Sequence, residues 1–282
     1  MHDPLRPTAD EATAAWADRV RANADQVARF REVPDGQDFY GPVAGAFRDD
    51  PRRTGDGVLD TVLSLVEPGE TWLDIGAGGG RYTLPIALKA GEVTAVDPSS
   101  GMLDVMRGGM AEHGIENVRI INDRWPMAEP PTADVAFIAN VGMDIEAFGA
   151  FLDAMEASAR RLCVCVMGYQ QATVLFDRLW PEVHGEARAT LPALPDFLVL
   201  LLARGRVFEV RLSTRPAMSY ESKDDLRTFL RRQTWVNPGG EKDQKLERLI
   251  DEVVTERDGR FALSWEPVTV GIVSWEPRPP SR

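Results

Sequence analysis

The sequence predicts an α/β fold in which helices pack on both faces of a doubly wound, mostly parallel sheet. The first observation is that short apolar runs alternate with helical patterns between residues 71 and 168. The second is that these runs are apolar almost throughout, as expected for strands buried on both faces. The third is a glycine-rich turn at residues 76–80, directly after the first run. Together they predict a ligand crevice beyond the carboxyl edge of the sheet.

Residues 1–54 are predicted to form a helical lid or arm outside the sheet. Thr8 and Glu11 have the spacing of a capping box, and an Ala-rich helical pattern follows to about Arg31. The next stretch, VPDGQDFYGPVAGAFRDDPRRTGDG, is rich in Gly, Pro and Asp and predicts a loop. Our hypothesis is that this segment folds across the ligand and contacts it through Tyr40. The alternative is a packing arm or a homodimer contact.

Residues 55–168 are predicted to form the ligand-binding core. A helix is expected over about residues 57–66, ending before Pro68 and Gly69. Five strands follow, with helical patterns between most of them. The first is expected in an apolar run that ends at Asp74 and the second in a run that ends at Asp97, and the other three are expected at VRIIN, DVAFIAN and LCVCVMG.

Residues 169–282 break this rhythm and predict a helical cap inserted before the end of the core. Helical patterns cover ATVLFDRLW, KDDLRTFLRRQTW and EKDQKLERLIDEVVTERDG, and VFEVRLS is strand-like. The final alternating run, FALSWEPVTVGIVSW, is expected to return to the sheet as edge strands. The large apolar side chains of the cap suit a small, partly apolar ligand if some of them line a cavity.

Composition and charge narrow the class of protein. With 282 residues, 44% hydrophobic and 27% charged, the chain is expected to be globular and to bury a sizeable core. Its longest strongly apolar run, 197–203, is too short to span a bilayer, so no membrane partner is expected. The first 16 residues lack an apolar signal core, which favours a cytoplasmic location. Cys163 and Cys165 share one apolar run and are expected to be buried, reduced thiols.

The net charge of −12 argues against a polyanionic partner, so no nucleic acid is expected. The densest basic cluster consists of Arg227, Arg231 and Arg232, which we interpret as a solvated helix face. The sequence shows no cluster of His, Cys and carboxylates at metal-ligand spacing, and no metal is predicted.

The glycine turn decides between two kinds of nucleotide site. A dinucleotide fingerprint, G-x-G-x-x-G, fails because Arg81 stands at its sixth position. By contrast, LDIGAGGG resembles the first motif of class I S-adenosyl-L-methionine-dependent methyltransferases, in which an acid and one further residue precede G-x-G-x-G. Here these are Asp74, Gly76, Gly78 and Gly80. A nicotinamide site and a purely structural turn remain as alternatives.

The resemblance implies a role for each residue around the turn. Asp74 would hold the methionyl amine, directly or through water, and Gly76 and Gly78 would let the backbone pass close beneath the ligand. Asp97, at the end of the second strand, would accept hydrogen bonds from both ribose hydroxyls. Met102 would lie near the adenine. The cofactor-binding residues implied are Asp74, Gly76, Ala77, Gly78, Asp97, Pro98, Met102, Asp123, Arg124, Trp125 and Asn140.

The resemblance extends less strongly to residue 168. Asp123 matches the position of an acid near the adenine amine, and Trp125 is a candidate adenine contact. Asn140 closes the fourth strand at the position that faces the methyl donor. Methyltransferases that act on amides and exocyclic amines have an N/D-P-P-Y/F pattern here, but in this sequence Val141 and Gly142 follow Asn140. This departure disfavours nucleobase and amide acceptors.

The sequence therefore predicts an S-adenosylmethionine-dependent methyltransferase that acts on a small-molecule acceptor. Methyl transfer from a sulfonium needs orientation and exclusion of water, and a base only if the acceptor must lose a proton. His184 and Tyr40 are the candidate catalytic residues. The alternatives are an RNA or protein methyltransferase, or a catalytically inactive, cofactor-binding regulatory protein of the same fold.

Overall fold

A computed structural model describes residues 6–33, 44–45, 48–170 and 178–277. Its strands are β1 (Thr71–Ile75), β2 (Glu92–Val96), β3 (Val118–Ile121), β4 (Ala133–Ala139), β5 (Ala159–Gly168), β6 (Phe208–Arg215), β7 (Thr255–Arg257), β8 (Arg260–Ala262) and β9 (Val268–Trp275). Its helices are α1 (Ala9–Phe30), α2 (Gly57–Leu63), α3 (Thr83–Ala87), α4 (Ser100–His113), α5 (Phe148–Ser158), α6 (Leu179–His184), α7 (Leu194–Ala203), α8 (Lys223–Thr234) and α9 (Glu241–Val253).

The main sheet has seven strands in the order β3-β2-β1-β4-β5-β9-β6. The first five strands along the chain pair in parallel, and β9 runs antiparallel to both of its neighbours. The predicted doubly wound, mostly parallel sheet is confirmed. The carboxyl ends of β1, β2 and β4 therefore meet at one edge, where the glycine turn follows β1.

The final apolar run was expected at the edge of the sheet, and here the prediction was wrong. β9 lies between β5 and β6 and pairs with both, while Val270, Ile272 and Val273 are buried by the layers on the two faces of the sheet. The edge strand is β6, in which no residue is fully buried. The first two residues of the same predicted run, Phe261 and Ala262, instead belong to β8, which pairs with β7 in a separate two-stranded sheet.

The core fills both faces of the sheet. One layer joins α2, α3 and α4 to the strands, and the other joins α1, α5 and α7 to them. The second layer is rich in aromatic rings, and Trp16 stacks on Phe148 with ring centroids 4.4 Å apart. Cys163 and Cys165 are free and buried in this layer, as predicted, and burial raises the pKa of both thiols.

The N-terminal helix α1 is part of this core. It begins at Thr8, whose hydroxyl accepts from the Glu11 N–H at 3.2 Å while the Glu11 carboxylate accepts from the Thr8 N–H at 2.8 Å. Trp16 Nε1 donates to the Ile145 carbonyl at 3.2 Å. At the other end, Lys242 Nζ donates to the Phe30 carbonyl at 2.9 Å. The helix thus braces the α5 side of the core against the cap.

The cap is a small cluster of its own, formed by α6, α8 and α9 around Leu226, Leu230, Leu246 and Ile250. Two of the three arginines predicted to form a solvated face, Arg227 and Arg231, instead join two of these helices. Arg231 of α8 pairs with Asp243 and Glu247 of α9, each at 2.7 Å, and Arg227 pairs with Glu247 at 2.8 Å. Of the helices described, none combines the length and the apolar character that crossing a membrane requires.

Candidate functional site

The glycine turn follows β1 and has backbone angles that residues with a side chain rarely adopt. Gly76 and Gly78 have φ of 74° and 55°, in the left-handed region that favours glycine. The Gly76 N–H donates to the Val96 carbonyl at 2.8 Å, and the Ala77 N–H donates to the same oxygen at 3.1 Å. A Cβ at Gly76 would lie 2.4 Å from Val141 Cγ2. The turn is therefore tied to the end of β2 and pressed against the loop after β4.

Gly76→Ala is expected to lower the free energy of unfolding by about 1–2 kcal/mol, because an L-residue is strained at this φ. Displacement of Val141 should add to the loss and weaken ligand binding at the turn. The control is Gly108→Ala, on the exposed face of α4 with open space around its Cβ, which should stabilise by about 0.5–1 kcal/mol. Urea titration of both variants measures the difference, and equal effects would contradict it.

Asp97, 7% exposed, links the turn to α4. Its Oδ2 accepts the Gly78 N–H and its Oδ1 the Ser99 N–H, each at 2.8 Å. Its backbone carbonyl accepts from Asn122 Nδ2 at 2.9 Å. The carboxylate is therefore fixed at the carboxyl edge, directly beside the glycine turn. An ionised carboxylate at this position can accept hydrogen bonds from the hydroxyls of a ligand.

Asp74, 2% exposed, is the second acid of the site. Its Oδ2 accepts a 2.5 Å hydrogen bond from Thr83 Oγ1. The pKa of Asp74 is raised to about 7, chiefly by burial. The hydrogen bond from Thr83 opposes this rise, and the charge of Asp97 adds to it. The carboxyl is thus poised near neutral pH, and a cationic ligand group beside it would favour the ionised form. Thr83 is buried and anchors Asp74, a role that no sequence pattern indicates for a single threonine at a helix start.

Ligand affinity at this acid should depend on pH. If Asp74 binds a cationic amine, affinity for S-adenosylhomocysteine should fall about tenfold from pH 8 to pH 6, because protonation at a pKa of about 7 competes with binding. Asp74→Asn, which cannot ionise, should bind weakly with a flat profile. Calorimetry across this range measures both proteins, and a flat profile in the unmodified protein would contradict the assignment.

Met102 and its neighbours flank the glycine turn. A Cβ at Gly78 would lie 3.0 Å from Met102 Cε, so the Met102 side chain lies against the turn. Ser99 caps α4 by accepting from the Met102 N–H at 3.1 Å. Pro98 is exposed at the start of this segment, whereas Ala77 is buried. The contacts of Met102 and Pro98 with an adenine stay predictions.

Asn140 lies on the other side of the turn. It directly follows β4 with φ of 56°, and its N–H donates to the Val166 carbonyl at 2.8 Å. Asparagine tolerates this left-handed conformation better than most residues. Because Val141 follows and contacts Gly76, the structure brings Asn140 to the same edge as the glycine turn.

The residues predicted after β3 divide between surface and core. Asp123 and Arg124 are exposed, and the Asp123 carboxylate accepts from the Arg124 N–H at 2.7 Å. Trp125 is buried, and its Nε1 donates to the Phe151 carbonyl at 3.3 Å. Its ring meets Phe151 edge-on at 6.4 Å, so the structure gives it a core role. Adenine contacts from these residues stay predictions.

His184, proposed as a base, lies in the interior of the cap. Its Nε2 donates to the Thr234 carbonyl at 2.9 Å, and its ring contacts Trp180 at 4.2 Å and Phe30 at 5.2 Å. Burial lowers its pKa. These contacts belong to α1, α6 and α8 and not to the glycine turn, so the structure does not support a catalytic role. A histidine near a helix end can be a catalytic base or a packing residue, and the sequence alone does not distinguish these roles.

Tyr40, the other candidate catalytic residue, lies outside the described residues. Within the described parts of the chain, no group of three or more His, Cys, Asp or Glu is arranged to hold a metal ion.

Comparison with known proteins identifies the domain that contains this site. Residues 73–163 match a family model described as a methyltransferase domain. The chain is 32% identical over 94 residues to a ribosomal RNA small subunit methyltransferase G from Neisseria gonorrhoeae, covering 32% of this chain and 45% of that protein. The chain thus spans less than half the length of this relative.

Two further similarities cover more of the chain. A protein-L-isoaspartate O-methyltransferase from Rhodopseudomonas palustris is 29% identical over 234 residues, covering 66% of this chain and 95% of that protein. The crystal structure of a methyltransferase from Geobacter sulfurreducens, dependent on S-adenosylmethionine and complexed with S-adenosylhomocysteine, superposes with a TM-score of 0.54. That match has 16% identity and covers 86% of this chain and 100% of the other. At this identity the likeness concerns the fold alone.

Proposed function

We propose that this chain, which carries a class I S-adenosylmethionine-dependent methyltransferase domain, transfers a methyl group from S-adenosylmethionine to a small-molecule acceptor. The observation that carries the proposal is the pair of buried carboxylates, Asp74 and Asp97, on either side of the turn formed by Gly76 and Gly78. A ligand with a cationic amine at one end and hydroxyls at the other fits this arrangement.

The residues present fit that cofactor. Asp74 would hold the methionyl ammonium and Asp97 the ribose hydroxyls, while Met102 would lie beside the adenine. The missing side chains at Gly76 and Gly78 leave the backbone able to approach the ligand. When bound, S-adenosylmethionine supplies an electrophilic methyl group on a sulfonium. The chain itself would orient the two reactants and exclude water, and Asn140 would contact the reacting end.

Two features support a small acceptor. The net charge of −12 disfavours binding to a nucleic acid backbone, and the densest basic cluster in the sequence is paired with carboxylates of α9. A polypeptide acceptor is the second candidate, because the isoaspartate methyltransferase aligns over nearly its whole length.

The proposal is tested in two steps. Calorimetry should show binding of S-adenosylmethionine and S-adenosylhomocysteine that is tighter than binding of NAD. Methyl-labelled donor is then incubated with three acceptor pools, namely a low-molecular-weight extract, total RNA and denatured protein. Label should enter the low-molecular-weight pool. Tighter NAD binding would remove the cofactor assignment, and label confined to RNA or protein would replace the acceptor class. Cofactor binding without turnover in any pool would favour an inactive regulatory protein.

A further inference from the structure

Three arginines gather beside the glycine turn, and we call them the arginine cluster: Arg53, Arg81 and Arg215. Arg53 Nη1 donates to the Arg81 carbonyl at 3.1 Å, and Arg53 Nε pairs with Asp56 at 3.1 Å. Arg81 pairs with Asp49 at 2.8 Å and with Asp56 at 3.4 Å. Arg215 interacts electrostatically with Tyr82, and less strongly with Arg81 and Asp56. The three side chains thus share one neighbourhood at the start of α2 and α3.

The arginine cluster lies at the same edge of the sheet as the candidate cofactor site. Ser213 of β6 and Gly168 of β5 both pair with Val270, so Arg215 stands two residues beyond the level at which β5 ends. A Cβ at Gly57 would lie 2.9 Å from Ser213 Oγ, which places the start of α2 beside this end of β6. The cluster is therefore on the β6 side of the crevice, whereas Asp97 follows β2 on the other side.

A short stretch of chain connects the arginine cluster to the acids. Arg81 follows the glycine turn directly, and two residues later Thr83 holds Asp74. Between them, Tyr82 is buried and contacts Phe137 of β4 with ring centroids 5.5 Å apart. Arg81 therefore connects the arginine cluster to the segment that carries both the glycine turn and the residue that anchors Asp74.

The arginine cluster has more positive than negative charge. Three guanidinium groups face two carboxylates, those of Asp49 and Asp56. Arg215 forms no hydrogen bond or ion pair with any residue that the structure describes, and burial lowers its pKa. Arg53 Nη2 and Arg81 Nε are also buried without an acceptor within the described ranges. Buried donors of this kind are costly when unpaired, and an anion at the arginine cluster would supply the acceptors that they lack.

We propose that the arginine cluster binds an anionic group of the methyl acceptor, so that the acceptor is a small molecule with a carboxylate or a phosphate. This inference rests on the proposed function, because it places the anion beside a bound methyl donor. Guanidinium groups suit both kinds of oxyanion, since their planar donors match carboxylate and phosphate geometry. The anion would hold one end of the acceptor and leave the other end near Asn140.

The test is titration of the full chain, saturated with S-adenosylhomocysteine, with inorganic phosphate and with benzoate at constant ionic strength. The unmodified protein should bind at least one of these anions. Arg215→Gln should weaken that binding by at least about tenfold, the effect of losing a charge-assisted hydrogen bond. Arg215→Lys, which keeps the charge, should recover part of the affinity. The matched control is Arg211→Gln on the same strand, because Arg211 is exposed and pairs with Glu209 at 2.8 Å.

The donor has a carboxylate of its own, so a second titration separates the two sources of the anion. S-adenosylhomocysteine is compared with its decarboxylated analogue in the unmodified protein and in Arg215→Gln. If each of the two ligands binds Arg215→Gln within about twofold of its affinity for the unmodified protein, the arginine cluster is an acceptor site. A loss for S-adenosylhomocysteine alone would assign the arginine cluster to the donor and overturn the inference.

Failure of the inference and failure of the proposed function have different signatures. If neither anion binds a protein that binds S-adenosylhomocysteine, or if Arg215→Gln binds them as well as the unmodified protein does, only the inference is overturned. If S-adenosylhomocysteine itself does not bind, the proposed function is lost, and the acceptor assignment is lost with it.

Discussion

Asp97→Ala is expected to weaken S-adenosylmethionine binding by about 1.5–3 kcal/mol, or roughly 10- to 150-fold, the cost of losing hydrogen bonds to a charged group. The structure adds a second reason for a large effect. The same carboxylate holds the N–H groups of Gly78 and Ser99, so its removal frees the glycine turn from the start of α4. The expected loss therefore combines missing ligand contacts with a less ordered turn.

Two matched variants separate these contributions. Asp97→Asn keeps one acceptor oxygen but no charge, and it should retain more affinity than Asp97→Ala. Asp104→Ala, on the exposed face of α4 where the aspartate pairs with Arg107, should bind like the unmodified protein. Calorimetry at pH 8 measures all three. Unchanged affinity in a folded Asp97→Ala variant would remove Asp97 from the site.

The fold and the centre of the site are the parts that local sequence patterns determine. Buried parallel strands are apolar along most of their length, so β1, β2, β4 and β5 can be predicted from the sequence. The glycine turn can be predicted as well, because its backbone requires glycine. Gly76 and Gly78 have positive φ, and Val141 crowds Gly76. An acid at the end of each of two adjacent parallel strands must then lie at the same edge.

The features that the sequence does not reveal depend on contacts between distant segments. From the sequence His184 is a candidate base, but the fold surrounds it with Thr234 of the cap and Phe30 of α1. The position of β9 depends on competition between strands for the interior of the sheet, which no local pattern records. The arginine cluster unites residues 53, 81 and 215, and the first and last are separated by more than half of the chain.

The N-terminal segment shows the same limit. An amphipathic helix ahead of an apparently complete core suggests a lid, but α1 buries Ala12, Trp16 and Val20 in the layer shared with α5 and α7. It also reaches the linker between α6 and α7, where Gln26 Oε1 accepts from the Ala189 N–H at 2.8 Å. The packing-arm alternative therefore describes α1. A lid role for the residues around Tyr40 remains a separate hypothesis.

Trp16→Ala is accordingly expected to lower the free energy of unfolding by about 3–5 kcal/mol, as for a large aromatic side chain removed from a core. The cavity would lie against Phe148, and the hydrogen bond to the Ile145 carbonyl would be lost. The control is Asp25→Ala on the exposed face of the same helix, which should change stability by less than about 0.5 kcal/mol. Urea titration at 15 °C measures both.

The same variant distinguishes a brace from a donor lid. The named contacts of Trp16 lie in the loop before α5 and in α5 itself, not in the glycine turn, so affinity for S-adenosylhomocysteine should change less than about threefold in the folded Trp16→Ala protein. If α1 closed over the donor, loosening the helix would lower ligand affinity as much as it lowers the free energy of unfolding. A loss of affinity that matches the loss of stability, absent from Asp25→Ala, would restore the lid and contradict the brace.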